Sequence, residues 1–370
     1  MDVLGIIFAN IYDSSLGQLT NKRTMASLPF GGRYRQIDFP LSNMANSGVS
    51  HVGIITKYNY QSLVNHVGSG MEWDLDMGEN LQFLTPFSMG HSGTYRGKLE
   101  AVNSAMQFLK LRDEEYVILS DSNVLCTIDY TKVLEDHIAS GCDVTVVAKA
   151  GIADGKKKLD LALKTDEDGK ICEMAVDYVA DPSYKASIGI YIMKRTLLMD
   201  AAKESASRNR YRMERDFILR YFDEGKITMN VYNFQNVVMY MESPVEYYQN
   251  NLALLNSDVR RSLFRSTHSV YTRVRHEVPA YFAAEAKVDN SIVADGCVVE
   301  GNVEDSVIFR GVKVQPGAEL KQVVALQDCV IGEGAHIECA VLDKDVVVRP
   351  GSMLVGTPDH PIIISKGEIV

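Results

Sequence analysis

Apolar residues follow two different rhythms along the 370-residue chain. Up to about residue 258, short runs dense in Val and Ile alternate with longer stretches in which apolar residues recur every three or four positions. "VLGIIFA" (3–9), "HVGIIT" (51–56), "YVILS" (116–120) and "DVTVVAKA" (143–150) predict buried strands, because near-continuous β-branched runs of this length suit a sheet covered on both faces. "DFPLSNMANSG", "NYQSLVNHVGSG", "KLEAVNSAMQFLKLRDE" and "DYTKVLEDHIASG" predict helices, several ending at a Gly suited to a C-cap. Strand and helix alternating in this order predict an α/β domain with a mostly parallel sheet. Ligands of such sheets bind beyond the carboxyl ends of the strands, which directs attention to the stretches after Ala9, Thr56 and Ser120. A further helix is expected in "ESPVEYYQNNLALL", with Ser243 as cap, Pro244 at its first position and Glu246 completing a capping box. That helix closes the first domain, 1–258, and the basic, polar stretch that follows reads as a connector over 259–285.

From 286 to 370 the rhythm is six. Val293 and Val299, then Ile308, Val314, Leu320 and Leu326, then Ile331 and Ile337, then Leu342, Val348 and Leu354 are spaced this way. Small or short residues (Cys297, Val312, Ala318, Ala335, Ser352) often stand four after them, with turns such as "ADG", "QPG", "GEG" and "RPG". A hexad of this kind builds a parallel β-helix of triangular coils, each face giving one inward aliphatic position. Its flat faces and edges suit packing against another domain or subunit.

Composition narrows the function without naming it. A formal net charge of -10 disfavours a general nucleic-acid or membrane-surface binder, and "KKK" at 156–158 reads as a solvated turn. The N-terminus carries no leader pattern and no run of about 18 apolar residues occurs, so a cytoplasmic protein is expected. Six scattered cysteines, without metal-ligand spacing, fit a reducing compartment as small buried side chains.

"PFGGRYRQIDFPLSNMANSG" (29–48), "MEWDLD" (71–76), "DCVIGEGAHIE" (328–338) and "LDKDVVVRPGSMLVGTPDHP" (342–361) strongly resemble bacterial glucose-1-phosphate adenylyltransferase, essentially end to end. The resemblance implies a nucleotidyltransferase-like (Rossmann-like) domain followed by a left-handed parallel β-helix. It implies a tetramer that makes ADP-glucose and pyrophosphate from ATP and glucose 1-phosphate for glycogen synthesis, under control of phosphorylated metabolites.

That reaction needs backbone N–H groups near the triphosphate, cations facing the leaving pyrophosphate and Mg²⁺ between carboxylates. Aligned on "SLGQLT" and "PFGG", the family's loop glycines fall on Asn10, Ile11 and Asp13, its loop Arg on Ser15 and its Lys on Met25. The first metal Asp falls on Ser122, with Asp121 one residue early and expected to point to the opposite face. The second falls on Tyr240, and "DYVADP" (177–182) has no match for the sugar-phosphate Lys. These departures resemble the non-catalytic GlgD-type subunit of the family, which pairs with a catalytic subunit in a heterotetramer. The expectation is therefore a regulatory chain that binds no cofactor itself, with Mg²⁺ and ATP acting in its partner, and that forms homo-oligomers when alone. The alternatives are a weakly active enzyme with its metal site rebuilt on Asp121 or Asp13, and a free-standing nucleotide or sugar-phosphate sensor.

Arg23, Arg33 and Arg35 match or lie beside positions that bind effector anions in relatives, and guanidinium groups recognise phosphate bidentately. Lys344, on the β-helix, is a candidate to join them. His336, a lone His in a coil turn, is read as structural rather than as an acyltransferase base. The Met and aromatic residues of "VVMYMESPVEYYQ" are expected in the core and interface.

Overall fold

In the computed structural model, which describes residues 2–10, 12–86, 95–264 and 267–370, the two rhythms become two packed units. The first contains strands β1 (Val3–Phe8), β2 (His51–Ile55), β3 (Leu81–Leu84), β4 (Tyr116–Asp121), β5 (Val144–Lys149), β6 (Lys158–Thr165), β7 (Ile171–Val179), β8 (Lys185–Lys194) and β9 (Met229–Asn233). Neighbours run β3-β2-β1-β4-β8 and on through β6 to β7, while β8 also pairs with β5, and β5 with β9. The β3-β2-β1-β4 block and the β5-β9 pair are parallel, as the apolar runs predict. β8 joins them by running antiparallel to both β4 and β5.

Helices cover both faces. Lys98–Ser104 and Arg195–Ser207 bury Leu99, Val102, Leu198 and Ala202 on one side, and Asp38–Asn46, Gln61–Val67 and Tyr130–Ser140 bury Leu41, Met44, Leu63, Val67 and Val133 on the other. Helix Tyr130–Ser140 starts where the Asp129 side chain accepts the Thr131 N–H and stops at Gly141, whose φ of 63° suits a residue without a Cβ. The carboxyl ends of β1, β2 and β4 are thereby left to bear the site.

Helix Pro244–Ala253 forms as its signals predict, with Ser243 Oγ accepting the Glu246 N–H at 3.1 Å. The reciprocal bond differs from a capping box. Glu246 accepts the N–H of Glu242, one residue earlier, at 2.9 Å, while its other oxygen pairs with Lys157 at 2.6 Å. A second helix, Ser257–Leu263, capped by Asn256, crosses the expected boundary at 258 before the chain extends toward the coil.

The C-terminal unit is a β-helix whose strand pairs are all parallel, from Tyr281–Phe282 to Ile362–Ile364. Val299, Val314, Ile331 and Val348 stack on one inner face, and Val303, Leu320 and Ile337 on the next. The third face corrects one expected core position: Ile308 pairs with Ala325, and Ala325 with Leu342, so Ala325 rather than Leu326 points inward. Partners on this face stand 17 residues apart (308, 325, 342), and a strict six-residue count overshoots by one. Leu326 instead faces outward, into a core shared with the first unit.

That shared core also holds Phe309, Val341, Met239 and Met241, with Tyr247 and Tyr248 from helix Pro244–Ala253. The Tyr247 hydroxyl donates to the Pro29 carbonyl (2.7 Å) and that of Tyr248 to the Gln322 carbonyl (2.9 Å), so adjacent residues grip both units. Burying such side chains contributes about 1.5–3 kcal/mol each, which makes the junction a continuous core rather than a hinge. The six cysteines are free, four of them buried. Among the described residues no helix is long and apolar enough to cross a membrane.

Candidate functional site

Two places gather chemistry: the carboxyl end of the sheet and a cleft where the two units meet. After β1 the chain forms 3-10 turns over Asp13–Thr20 instead of a glycine cradle. Gly17, at φ 52°, is the one glycine in it. Ser15 is exposed and its hydroxyl donates to the Tyr12 carbonyl at 2.7 Å, a local turn bond that closes the backbone on itself. Met25 is fully buried among Leu16, Leu19 and Leu28, and its N–H donates to Asp13 Oδ1 at 2.7 Å. Burial pushes the Asp13 carboxyl up to about 7, against the opposing pull of the Met25 N–H and Lys57. Asn10 is buried beside this turn, and Ile11 lies outside the described residues.

Tyr12 projects into the pocket at the end of β4. Its hydroxyl donates to Asp160 and lies 3.4 Å from Asp121 Oδ2. Asp121 lines this pocket together with Tyr240, which corrects the expectation that it points to the opposite face. The strand ends at Asp121, and a bulge in the neighbouring β8 makes room for its carboxylate: Gly189 sits at φ 69° where a Cβ would come 2.4 Å from Asp121 Oδ2. The carboxylate is nevertheless engaged. Lys98 Nζ donates to Asp121 Oδ2 at 2.6 Å and to Glu214 Oε1 at 2.7 Å, all three side chains being nearly or fully enclosed.

Burial alone would pull Lys98 down, yet Asp121 and Glu214 hold it charged, well above the ordinary lysine range. Asp121, by burial first and then the proximity of Glu214, is raised to about 7 in spite of Lys98. Tyr240 adds no charge: its hydroxyl donates to the Ser187 carbonyl at 3.0 Å, and Lys157 covers its ring at 4.8 Å. Ser122 is buried just beyond β4, its N–H donating to the Phe8 carbonyl. Tyr12, Tyr240 and Lys157 fill the pocket so far that about 20 Å³ is left for water, room for about one molecule. Among the described residues no group of three or more His, Cys, Asp or Glu is placed to hold a metal ion. In "DYVADP" Asp177 is held by Arg212 at 2.6 Å and Arg215 at 2.8 Å and does not line this pocket.

The second place is strongly cationic. The "FGG" turn, with Gly31 at φ 60° and Gly32 at φ 83°, lies against Leu254 of the first unit and Ile292 of the coil, and delivers Arg33 and Arg35 to the junction. There they line a narrow cleft with Arg273, Arg275, Arg310, Lys344, His66 and Gln327, and among the described residues no carboxylate lines it. Arg35 is positioned by its N–H to Asp38 (2.8 Å) and by its guanidinium to the Ser62 carbonyl (2.8 Å) and hydroxyl (2.9 Å). Asp38 also takes His66 Nε2 at 2.6 Å. Burial, reinforced by Arg35, Arg23 and Arg275, pulls Lys344 down to about 7, and burial likewise lowers Arg35 to about 10.

Of the four basic residues singled out in the sequence, the structure brings Arg33, Arg35 and Lys344 together. Arg23 lies behind them, buried in an ion pair with Asp343, and does not line the cleft. Arg273, Arg275 and Arg310 were missed individually. Arg273 and Arg275 had a signal in the basic stretch "TRVRHE", where an extended chain puts them on one side, and Arg310, in the coil, had none. Lys98 and Glu214 had no local signal. His336 bonds Glu319 across a half-exposed rung of the coil, at 3.2 Å.

Residues 5–236 match the family described as Nucleotidyl transferase, and residues 278–360 match that described as GlmU-like, C-terminal hexapeptide, so the coil is the left-handed β-helix expected. Over 368 residues the chain is 31% identical to the glycogen biosynthesis protein GlgD of Bacillus subtilis (strain 168), covering 99% of this chain and 96% of that protein. It is also 31% identical, over 375 residues, to the glucose-1-phosphate adenylyltransferases of Bacillus cereus (strain ATCC 10987 / NRS 248) and Bacillus anthracis, covering 99% of this chain and 98% of each. Equal identity to both kinds leaves the pocket itself to distinguish them.

Proposed function

The chain belongs to the nucleotidyl transferase family that includes the glucose-1-phosphate adenylyltransferases and GlgD, and from that premise we propose that it is a non-catalytic, regulatory subunit in glycogen biosynthesis. It pairs with a catalytic glucose-1-phosphate adenylyltransferase subunit in a cytoplasmic hetero-oligomer, and the cationic cleft takes a phosphorylated metabolite. One observation supports the reading most: the pocket where the reaction would occur is filled from within by Tyr12, Tyr240 and Lys157, and its Asp121 is already held by Lys98, at the place where triphosphate and metal are needed.

Charge argues the same way. A phosphoryl-transfer site needs cations facing the leaving group, and here Ser15 and Met25 supply none while Asp13 adds a carboxyl group. Near a protein surface a unit charge at about 4 Å is worth on the order of 4 kcal/mol at an effective dielectric near 20. Losing two such cations would cost several decades of rate. The cleft, by contrast, offers five guanidinium groups suited to bidentate phosphate contacts. Regulation then means that an anion bound at the junction favours one arrangement of the assembly, shifting the partner between its more and less active states.

The test is pyrophosphate exchange with ATP and glucose 1-phosphate, measured for this chain alone, the catalytic subunit alone and the mixture. No exchange by the chain alone, with a changed rate or effector response in the mixture, is expected. Appreciable turnover by the chain alone, or a mixture that equals the sum of its parts, sinks the reading.

A further inference from the structure

The lysine at the head of helix Lys98–Ser104 is an anomaly of its own. A cation at a helix N-terminus opposes the macrodipole, and a buried one loses its hydration as well. Such a position is tolerable only if something strongly anionic requires it. Two carboxylates from distant elements meet it there, Asp121 from the end of β4 and Glu214 from the helical segment Met213–Leu219, at 2.6 and 2.7 Å. The rings of Tyr12 and Phe8 lie 5.5 and 5.8 Å from the ammonium. Lys98 thus sits between carboxylate oxygens, shielded by aromatic faces, at the spot a divalent cation would take.

We propose that Lys98 is a tethered cation that takes the place of a divalent metal ion: its ammonium bridges Asp121 and Glu214, offsets one of their two negative charges, and so makes this pocket refuse metal. The inference rests on the reading of this pocket as the altered reaction site. Without Lys98, two carboxylates within about twice a hydrogen-bond length of each other could not both ionise in a buried site unless another cation arrived. Two carboxylates and waters suffice to bind Mg²⁺ or Mn²⁺. Asp121 Oδ1 has no hydrogen-bond partner, though the residue is only 3% exposed and lines the pocket, so an acceptor is already waiting there. The latent site is therefore complete except that its cation is covalently attached to the chain.

Binding of Mn²⁺ to the full chain, followed by the loss of free-ion signal in electron paramagnetic resonance and by the shift of the unfolding midpoint with added Mn²⁺, tests this. The wild type should show no Mn²⁺ site dependent on Asp121. Lys98→Ala should gain one site per chain and a midpoint that rises with Mn²⁺ and falls back with a chelator, and Lys98→Ala/Asp121→Asn should lose both. Lys98→Gln, which keeps most of the length without the charge, is the second variant, with the same gain expected. The proposal is overturned if the wild type binds Mn²⁺ at a site that Asp121→Asn removes, or if folded Lys98→Ala and Lys98→Gln bind none. It is also overturned if neither variant folds even with Mn²⁺ present, since a metal ought to take the role of the ammonium. Turnover by the wild type would refute the regulatory reading without altering this measurement.

Discussion

If the cleft takes an anion as proposed, Lys344 should make that binding a proton-linked event. The side chain is crowded by Arg35, Arg23 and Arg275, with Asp343 beside it in sequence and pulling the other way, and burial plus those cations bring it to about 7. An anion arriving in the cleft favours the charged ammonium, so affinity should track the fraction of Lys344 already protonated. That fraction falls from about one half at pH 7 to about one tenth at pH 8 and about one hundredth at pH 9. Sulfate is the suitable probe, because its charge stays fixed across the range while that of phosphate does not. Its Kd should weaken about five-fold from pH 7 to 8 and about ten-fold more by pH 9, at constant ionic strength. His66, lowered by burial against the hold of Asp38, is neutral throughout this range and cannot supply the slope. Isothermal titration calorimetry in buffers of different ionisation enthalpy would read the proton taken up directly. Lys344→Met should bind sulfate weakly and with a flat profile. A wild-type Kd that is the same at pH 7 and 9, or a Lys344→Met slope equal to that of the wild type, would refute the reasoning.

Other positions give independent checks. Arg23→Ala leaves Asp343 buried and unpaired, so it should cost about 3–5 kcal/mol in urea unfolding, and Arg23→Ala/Asp343→Asn should recover part of that; a cost near zero contradicts the buried pair. For Asp13 the folded value of about 7 lies above the ordinary carboxylate value of 3.8, so the folded state binds the extra proton and stability drains away as pH climbs between those values. Asp13→Asn should therefore raise the urea midpoint at pH 8 and lose that advantage toward pH 4, and an equal effect at both pH values would show that Asp13 is not perturbed. Gly189→Ala forces a Cβ onto Asp121 at a positive φ, which should cost about 2 kcal/mol or more, and an unfolding midpoint equal to that of the wild type would argue against the bulge as described.

How much was legible in advance follows from how locally each feature is encoded. β1, β2, β4 and β5 announce themselves because central parallel strands are apolar on both faces. The hairpin of β6 and β7 passed unnoticed, since "KLDLALKT" and "ICEMAVDYV" expose much of one side and dilute the signal with charge. In the coil the hexad identified the architecture, yet it selected Leu326 over Ala325, because periodicity favours the larger side chain and cannot sense a coil one residue short. That Ser15, Met25, Ser122 and Tyr240 carry neither a cation nor a carboxylate could be read from the sequence. What stands there instead could not: three of the four hydrogen bonds that join Tyr12, Lys98, Asp121, Asp160 and Glu214 span more than a hundred residues, and only the fold brings these side chains together.

The ion pair of Arg23 with Asp343 gives the altered loop a mechanical meaning. One end of the loop is anchored in β1, the other is fastened to the coil, and the residue after Asp343 is Lys344 of the cationic cleft. A segment that in an enzyme would have to yield to substrate is here tied at both ends into the packed body of the molecule. Restoring its glycines one at a time should therefore loosen the molecule before it revives any chemistry, so reversion toward catalysis would pass through less stable intermediates. On the non-catalytic reading the loop is a structural member, and that commitment would guard the inactive state more firmly than any single missing side chain.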